Sequence, residues 1–279
     1  MINLIKLELF KIVTKPRSYL GFLAITVVVI LIQLAFYVDG KQYIEFIFQA
    51  LQNSFQIEGN ILNGSLICFI ILQMLIIQMP LLVALVTGDL VSGEAASGTI
   101  RLLLSKTYSR GQILWAKFIA GNIYTFALIL WLGILALGIG LWVFGTGDLV
   151  VLKSDELVIL RADDVIWRFL GAFFVAFFSL SVITTFSLML SCFADNSITP
   201  IVASMSVIII FTIIGTFYVQ LFDTIKPALF TTHMIIWRNL FDNPLPTSQI
   251  VTSLAVLFGH IVLFLSVAFW HFKRKDIQN

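Results

Sequence analysis

The sequence predicts an all-α integral membrane protein with six transmembrane helices, and three observations predict it. Apolar residues make up 59% of the chain and charged residues only 11%, against about 25% charge in ordinary soluble domains. Mean hydropathy is +1.03. Uncharged apolar runs of span length recur six times, and a span needs about 20 such residues. The charges that remain gather at the ends of those runs.

Taken in order, 1–18 reads as an interface helix. Ile2, Ile5, Leu9, Ile12 and Val13 fall at helical spacing, with Asn3, Lys6 and Lys11 elsewhere around the helix. Pro16 then turns the chain into the first span, 19–38. Full span length and no small-residue cleavage site argue against a signal peptide. Residues 39–64 are expected outside the lipid core, with Tyr43, Phe46, Ile47, Ala50, Leu51 and Phe55 marking a second amphipathic helix. The second span is 65–86 and the third 119–144. Gly133, Gly138 and Gly140 suit close helix approach in the third.

The external loops are small. Residues 145–164 are acidic and contain a near-repeat, DLVVLKSDE then ELVILRADD. This predicts a hairpin within 148–162 that turns at Ser154-Asp155. The fourth span, 167–193, carries Ser181, Thr184, Thr185 and Ser191 at helical spacing. Such a stripe serves helix packing or, on the sharper reading, lines a substrate pathway. A tight turn leads to the fifth span, 201–221. Pro227, Pro244 and Pro246 break 222–249, where Met234 to Leu240 reads as a short or re-entrant helix with Trp237 at interfacial depth. The sixth span, 250–272, ends in Lys273-Arg274-Lys275.

Six spans put both termini on one side, and charge decides which. The termini and the segment between spans 2 and 3 carry eleven Lys and Arg; the other face carries six. The positive-inside rule places both termini in the cytoplasm. The basic residues are scattered at span ends, which speaks against a nucleic-acid partner. The lipid bilayer is the expected surrounding.

The stretch 87–118, TGDLVSGEAASGTIRLLLSKTYSRGQILWAKF, is too polar for lipid. Ser109 and Gln112 form a capping box, so a helix starts at Ser109. A short helix is expected over Thr99 to Leu104 with Ser97 as its N-cap. Glu94 and Arg110 flank it, and each is expected to face water, a partner or the other, since an unpaired buried charge is costly.

Other chemistry is missing. No P-loop, H-E-x-x-H or G-x-S-x-G occurs, and the three histidines match no metal spacing. The spans hold almost no ionisable side chains, which ion-coupled carriers use at depth. Catalytic, cofactor-binding and metal-ligating residues are therefore expected to be none. Cys68 and Cys192 fall near opposite membrane faces and are expected to be unpaired.

Glu94, Gly98-Thr99, Leu103-Leu104, Ser109-Arg110 and Lys117 resemble the E-x-x-x-G-T-x-x-x-L-L-x-x-x-x-S-R-x-x-x-x-x-x-K pattern of type-2 ABC exporter permeases. The likeness is strongest over Asp89 to Lys117. Many members have a proline before the Ser-Arg pair, where this chain has Thr107 and Tyr108. The resemblance implies a permease subunit of the bacterial cytoplasmic (inner) membrane, forming a substrate path. It implies a coupling element at Asp89, Glu94, Gly98, Thr99, Leu103, Leu104, Arg110 and Lys117 that touches a separate ATPase dimer. ATP and magnesium would bind in that partner, and a second permease chain, identical or related, would complete the path. The alternatives are a secondary carrier or channel, or a membrane enzyme or scaffold.

Overall fold

A computed structural model describes residues 1–52, 61–75, 77–99, 108–152, 157–217 and 219–275. Among them, six helices are long and apolar enough to cross a membrane: Pro16–Tyr43, Gln78–Ala96, Arg110–Phe144, Ala162–Phe193, Ile198–Thr216 and Thr247–Arg274.

Helix α1 (Ile2–Thr14) precedes α2 (Pro16–Gln52). Lys15 is extended between them, and Pro16 opens α2, where its missing N–H costs nothing. α2 runs on past residue 38 without a break, so the expected second amphipathic helix begins as its continuation. The second apolar run is interrupted. It forms α3 (Gly64–Met74) and α4 (Gln78–Thr87). Pro80 lies in the first turn of α4, where it cannot donate back to the preceding turn. A turn at Gly88–Val91 then leads into α5 (Ser92–Ala96), which the sequence reading did not foresee.

Helix α6 (Arg110–Phe144) starts at the Ser109–Gln112 capping box, with both reciprocal bonds present. It therefore enters the bundle nine residues before the expected third span. Ile134–Ile139 within it is π-helical, and Gln33 on α2 donates to the Leu135 carbonyl there at 2.9 Å. Strands β1 (Leu149–Leu152) and β2 (Leu157–Leu160) pair antiparallel, Leu149 opposite Leu160. The expected turn at Ser154-Asp155 lies outside the described residues.

Helix α7 (Ala162–Phe193) is the hub of the bundle, touching α4, α5 and α6 on one side and the later helices on the other. Its small-polar stripe lets neighbours approach closely. Thr184 shares a 2.8 Å hydrogen bond with Thr125 of α6. Helix α8 (Ile198–Thr216) follows a turn in which the Asn196 side chain accepts from the Ile198 and Thr199 amides. After it, α9 (Phe230–Met234) and a 3₁₀ turn (Ile235–Phe241) pack against α7 and the last helix, α10 (Thr247–Arg274). Arg168 of α7 holds this segment, donating to the Leu240 and Asp242 carbonyls at 2.8 Å each.

At the far end Gly64 meets α6. A Cβ there would lie 2.5 Å from the Gly140 backbone, so only glycine permits the contact. Asn63 caps α3 and donates to the Asp148 carbonyl, tying the hairpin to the same corner. Cys68 and Cys192 are both buried and unpaired with each other.

Candidate functional site

The end of the bundle that carries α1 and the last turn of α10, here called the basal end, holds most of the buried charge among the described residues. The face of α1 turned to the bundle is Leu4, Glu8 and Ile12, one helical turn apart. Ile2, Phe10 and Val13 stay exposed. A carboxylate in the middle of a buried stripe requires partners, and it has them. Lys117 of α6 is 0% exposed, and its ammonium lies 2.8 Å from Glu8 and 2.8 Å from Glu94 of α5. It also donates to the Leu90 carbonyl at 2.7 Å. Lys11, one turn along α1 from Glu8, reaches the other oxygens of both carboxylates at 2.7 and 2.6 Å.

These four groups form a neutral quartet, two cations alternating with two carboxylates. Each carboxylate has a cation on either side, which offsets the desolvation of burying it. Burial alone would lower the Lys11 pKa; its hydrogen bonds to Glu8 and Glu94 and their negative charge outweigh that and raise it above the usual lysine value.

A second cluster lies beside the quartet. Asp89 is buried and takes Lys15 at 2.6 Å and Arg17 at 2.9 Å, the two residues that flank Pro16. The break between α1 and α2 is what lets both cations reach one carboxylate. Gly93 makes room for it: a Cβ there would fall 2.3 Å from Asp89 Oδ1.

Serine supplies the remaining link. Ser191, near the end of α7, accepts from the Val91 and Ser92 amides at 3.1 and 2.9 Å and bonds the Ser92 hydroxyl. It therefore caps α5 from another helix. The Ser97 hydroxyl bonds back to the Gly93 carbonyl, and Gly98 has φ +69. Ser97 therefore closes α5 at its C-terminal end, with a left-handed glycine after it. It was expected to be the N-cap of the next helix.

The sequence-picked residues consequently divide. Asp89, Glu94 and Lys117 are inside the network, and Gly98 and Thr99 are exposed at its tip. Leu103 and Leu104, with the expected helix that holds them, lie outside the described residues. Arg110 turns the other way and donates to the Phe272, Lys273 and Lys275 carbonyls, capping the end of α10. Glu94 faces neither water nor Arg110; it is buried against lysines. Ser181, Thr184, Thr185 and Ser191 are all buried: Ser181 and Thr185 bond carbonyls one turn back, and Thr184 and Ser191 bridge helices. Lys11 was placed away from the apolar side of the interface helix, and Glu8, Lys15 and Arg17 were not singled out. Glu8 falls in register with Leu4 and Ile12, and that spacing was the available signal.

The family described as protein of unknown function, DUF2705, matches residues 25–278, nearly the whole chain. The chain belongs to the DUF2705 family. The match includes Asp89, Glu94, Lys117 and Ser191 and begins after α1. The uncharacterized protein YhcI of Bacillus subtilis (strain 168) is 29% identical over 187 residues, 65% of this chain and 59% of that protein. The match thus spans less than two thirds of YhcI. Among the described residues no group of His, Cys, Asp and Glu could hold a metal ion.

Proposed function

We propose that this DUF2705 chain is the membrane-spanning subunit of an ATP-driven exporter of a bacterial cytoplasmic membrane, with both termini cytoplasmic. It would form the substrate path with a second permease chain. The stretch from Asp89 to Lys117 would receive the motion of a separate ATPase dimer, in which ATP and magnesium bind. The observation that carries this reading is the buried basal network. It fastens an exposed tip, Ala96 to Thr99, to α1, α6 and α7 at once. A force applied at such a tip is delivered to three helices together, as a coupling element requires. Two charged residues of the exporter-like pattern, Glu94 and Lys117, are members of that network. Neutral pairing within it leaves no free carboxylate for a coupling ion, which weighs against a carrier.

The test is co-purification of the chain with a P-loop ATPase sought in the adjacent reading frames, followed by ATP hydrolysis in reconstituted membranes. The parent chain should bring the ATPase down and stimulate it. Leu103→Asp should break docking while the chain still inserts. A parent chain that recruits no ATPase, or a Leu103→Asp variant that recruits and stimulates it fully, overturns the reading.

A further inference from the structure

The two charge clusters of the basal end differ in their sums. The quartet of Glu8, Lys11, Glu94 and Lys117 is neutral. The cluster beside it sets two cations, Lys15 and Arg17, on one carboxylate, Asp89. Among the described residues it therefore carries one positive charge in excess. Asp89 is 2% exposed at the side chain, against 38% for Lys15 and 36% for Arg17. The anion is sealed inside, and the excess charge stands at the surface.

The two cations also have donors to spare. Lys15 gives Asp89 Oδ2 one of its three N–H groups. Arg17 approaches Asp89 with Nη1. That leaves Nε and Nη2, side by side on another edge of the guanidinium, for a two-pronged contact with phosphate oxygens. The recess among Lys11, Lys15, Arg17 and Asp89 is about 10 Å³, room for about one water. An anion therefore fits against the exposed sides of Lys15 and Arg17, not within the recess.

The surroundings indicate what carries the anion. Arg17 is the second residue of α2, and one turn further on a stripe of exposed apolar side chains begins: Leu20, Leu23, Val27, Leu31 and Leu34. Steps of three and four residues keep them on one face, and the helix is long and apolar enough to cross a membrane. Tyr19, a residue type suited to the membrane–water interface, is exposed beside them. Phe10 and Val13, near the end of α1, are exposed as well. A hydrocarbon chain lying on the stripe brings its headgroup to Arg17 and Lys15. A soluble anion gains nothing from those apolar side chains.

We propose that Lys15 and Arg17 bind the phosphodiester of an anionic membrane phospholipid whose acyl chains lie along α2. One phosphodiester carries one negative charge, which matches the excess. A zwitterionic headgroup suits the site less well, because its own ammonium competes for the phosphate. Asp89 is then a positioning residue that gathers both cations at one point. The site rests on α2 crossing the bilayer and is independent of the exporter reading.

The experiment places the full chain in nanodiscs of equal phosphatidylcholine and phosphatidylglycerol. The chain is extracted in mild detergent, and native mass spectrometry weighs the lipid it retains. Phosphatidylglycerol should be retained about five-fold over phosphatidylcholine, the effect of one excess cation near the surface. Arg17→Gln leaves Lys15 on Asp89 and the cluster neutral, so the preference should vanish. Arg17→Lys keeps the charge and should keep most of the preference. Arg274→Gln removes one exposed cation from the same end of the bundle and should leave the preference unchanged. Hydrogen exchange from Thr14 to Tyr19 should slow when phosphatidylglycerol is present, in the parent chain and not in Arg17→Gln. Inorganic phosphate should displace no more lipid than chloride at equal ionic strength. Equal retention of the two lipids by the parent chain overturns the site, as does a preference that survives Arg17→Gln. An equal fall in Arg17→Gln and Arg274→Gln overturns it too, since the preference would then follow total charge. Lipid displaced by phosphate and not by chloride overturns the lipid as occupant in favour of a free anion.

Discussion

Lys117→Met is the sharpest probe of the basal network. Methionine keeps much of the lysine volume and is compatible with the apolar wall of α6. What it removes is the cation that Glu8 and Glu94 share. Those side chains are 1% and 9% exposed, so neither carboxylate is rehydrated by a small shift. Both then depend on Lys11, and the quartet carries one net negative charge. Removing one partner of a buried pair costs about 3–5 kcal/mol, and here two carboxylates lose a cation while Glu8 and the Leu90 carbonyl lose a donor. The upper half of that range is expected. At about 2–4 °C per kcal/mol for a chain of this order, melting should fall by roughly 8–20 °C. Cys68 and Cys192 provide the assay, since both are fully buried and become reactive to a thiol dye only on unfolding. The double variant Glu8→Gln with Lys117→Met restores neutrality around Glu94 and Lys11. It should lose less than the two single losses added, by more than about 1 kcal/mol. If Lys117→Met melts within about 2 °C of the parent, or the double variant is simply additive, the quartet is not a coupled unit.

Three further outcomes follow from other contacts. Ser191→Ala should cost about 1–2 kcal/mol through loss of the α5 cap and speed proteolysis at Ala96 to Thr99; unchanged cleavage there would show that α5 stands without α7. Gly64→Val should force α3 away from Gly140, because the new Cβ would start 2.5 Å from backbone; purified chain with an unaltered melting curve contradicts that packing. For Lys11 the folded pKa is raised, so its contribution is complete below the unfolded value of about 10.4 and is lost only as pH rises through the folded one. An alkaline melting series should therefore hold level up to the ordinary lysine value, decline from there and flatten above the raised folded value, and Lys11→Met should lose that decline.

What was legible in the sequence was whatever rests on length and period. The long apolar runs became helices because an uncharged stretch of that length has few other ways to satisfy its backbone in lipid. The Ser109 box was readable because both of its partners are local in sequence. The buried charges were not readable in the same way. Lys117 looked like the last cation of a polar loop, and Glu94 like a residue needing water. Their partners lie 109 and 83 residues away in Glu8 and Lys11. Only the packing of α1 on α6 makes those pairs, and apolar periodicity in α1 pointed to Ile2 and Val13, which are exposed. Pairing also changes the expected effect of Glu94→Ala. A surface glutamate would be replaced at little cost, but this one leaves Lys117 half neutralised in a dry site. The break at Leu75 to Gln78 had a local cause, Pro80, hidden inside an unbroken apolar run.

Asp89→Asn separates the two halves of the basal network. The amide matches the carboxylate in size and keeps its place against Gly93, so the packing of α5 survives. The charge that gathers Lys15 and Arg17 is lost. Those cations are 38% and 36% exposed at the side chain, so water takes over much of their solvation and the global cost is discounted accordingly. Melting should fall by clearly less than in Lys117→Met. The local effect should be larger than the global one, because Asp89 pairs with a cation on each side of the Pro16 break. Hydrogen exchange should quicken at the end of α1 and the first turn of α2, from Thr14 to Tyr19. It should stay slow in α6 around Lys117, whose partners remain. Equal acceleration in both places would mean that the quartet and the Asp89 cluster are one unit. If α1 loosens alone, the chain keeps its core while the link from tip to interface helix is cut. Under the proposed function such a variant should still recruit the ATPase but stimulate it less. A variant with a loosened α1 and full stimulation would remove α1 from the path of force and leave α6 and α7 to carry it.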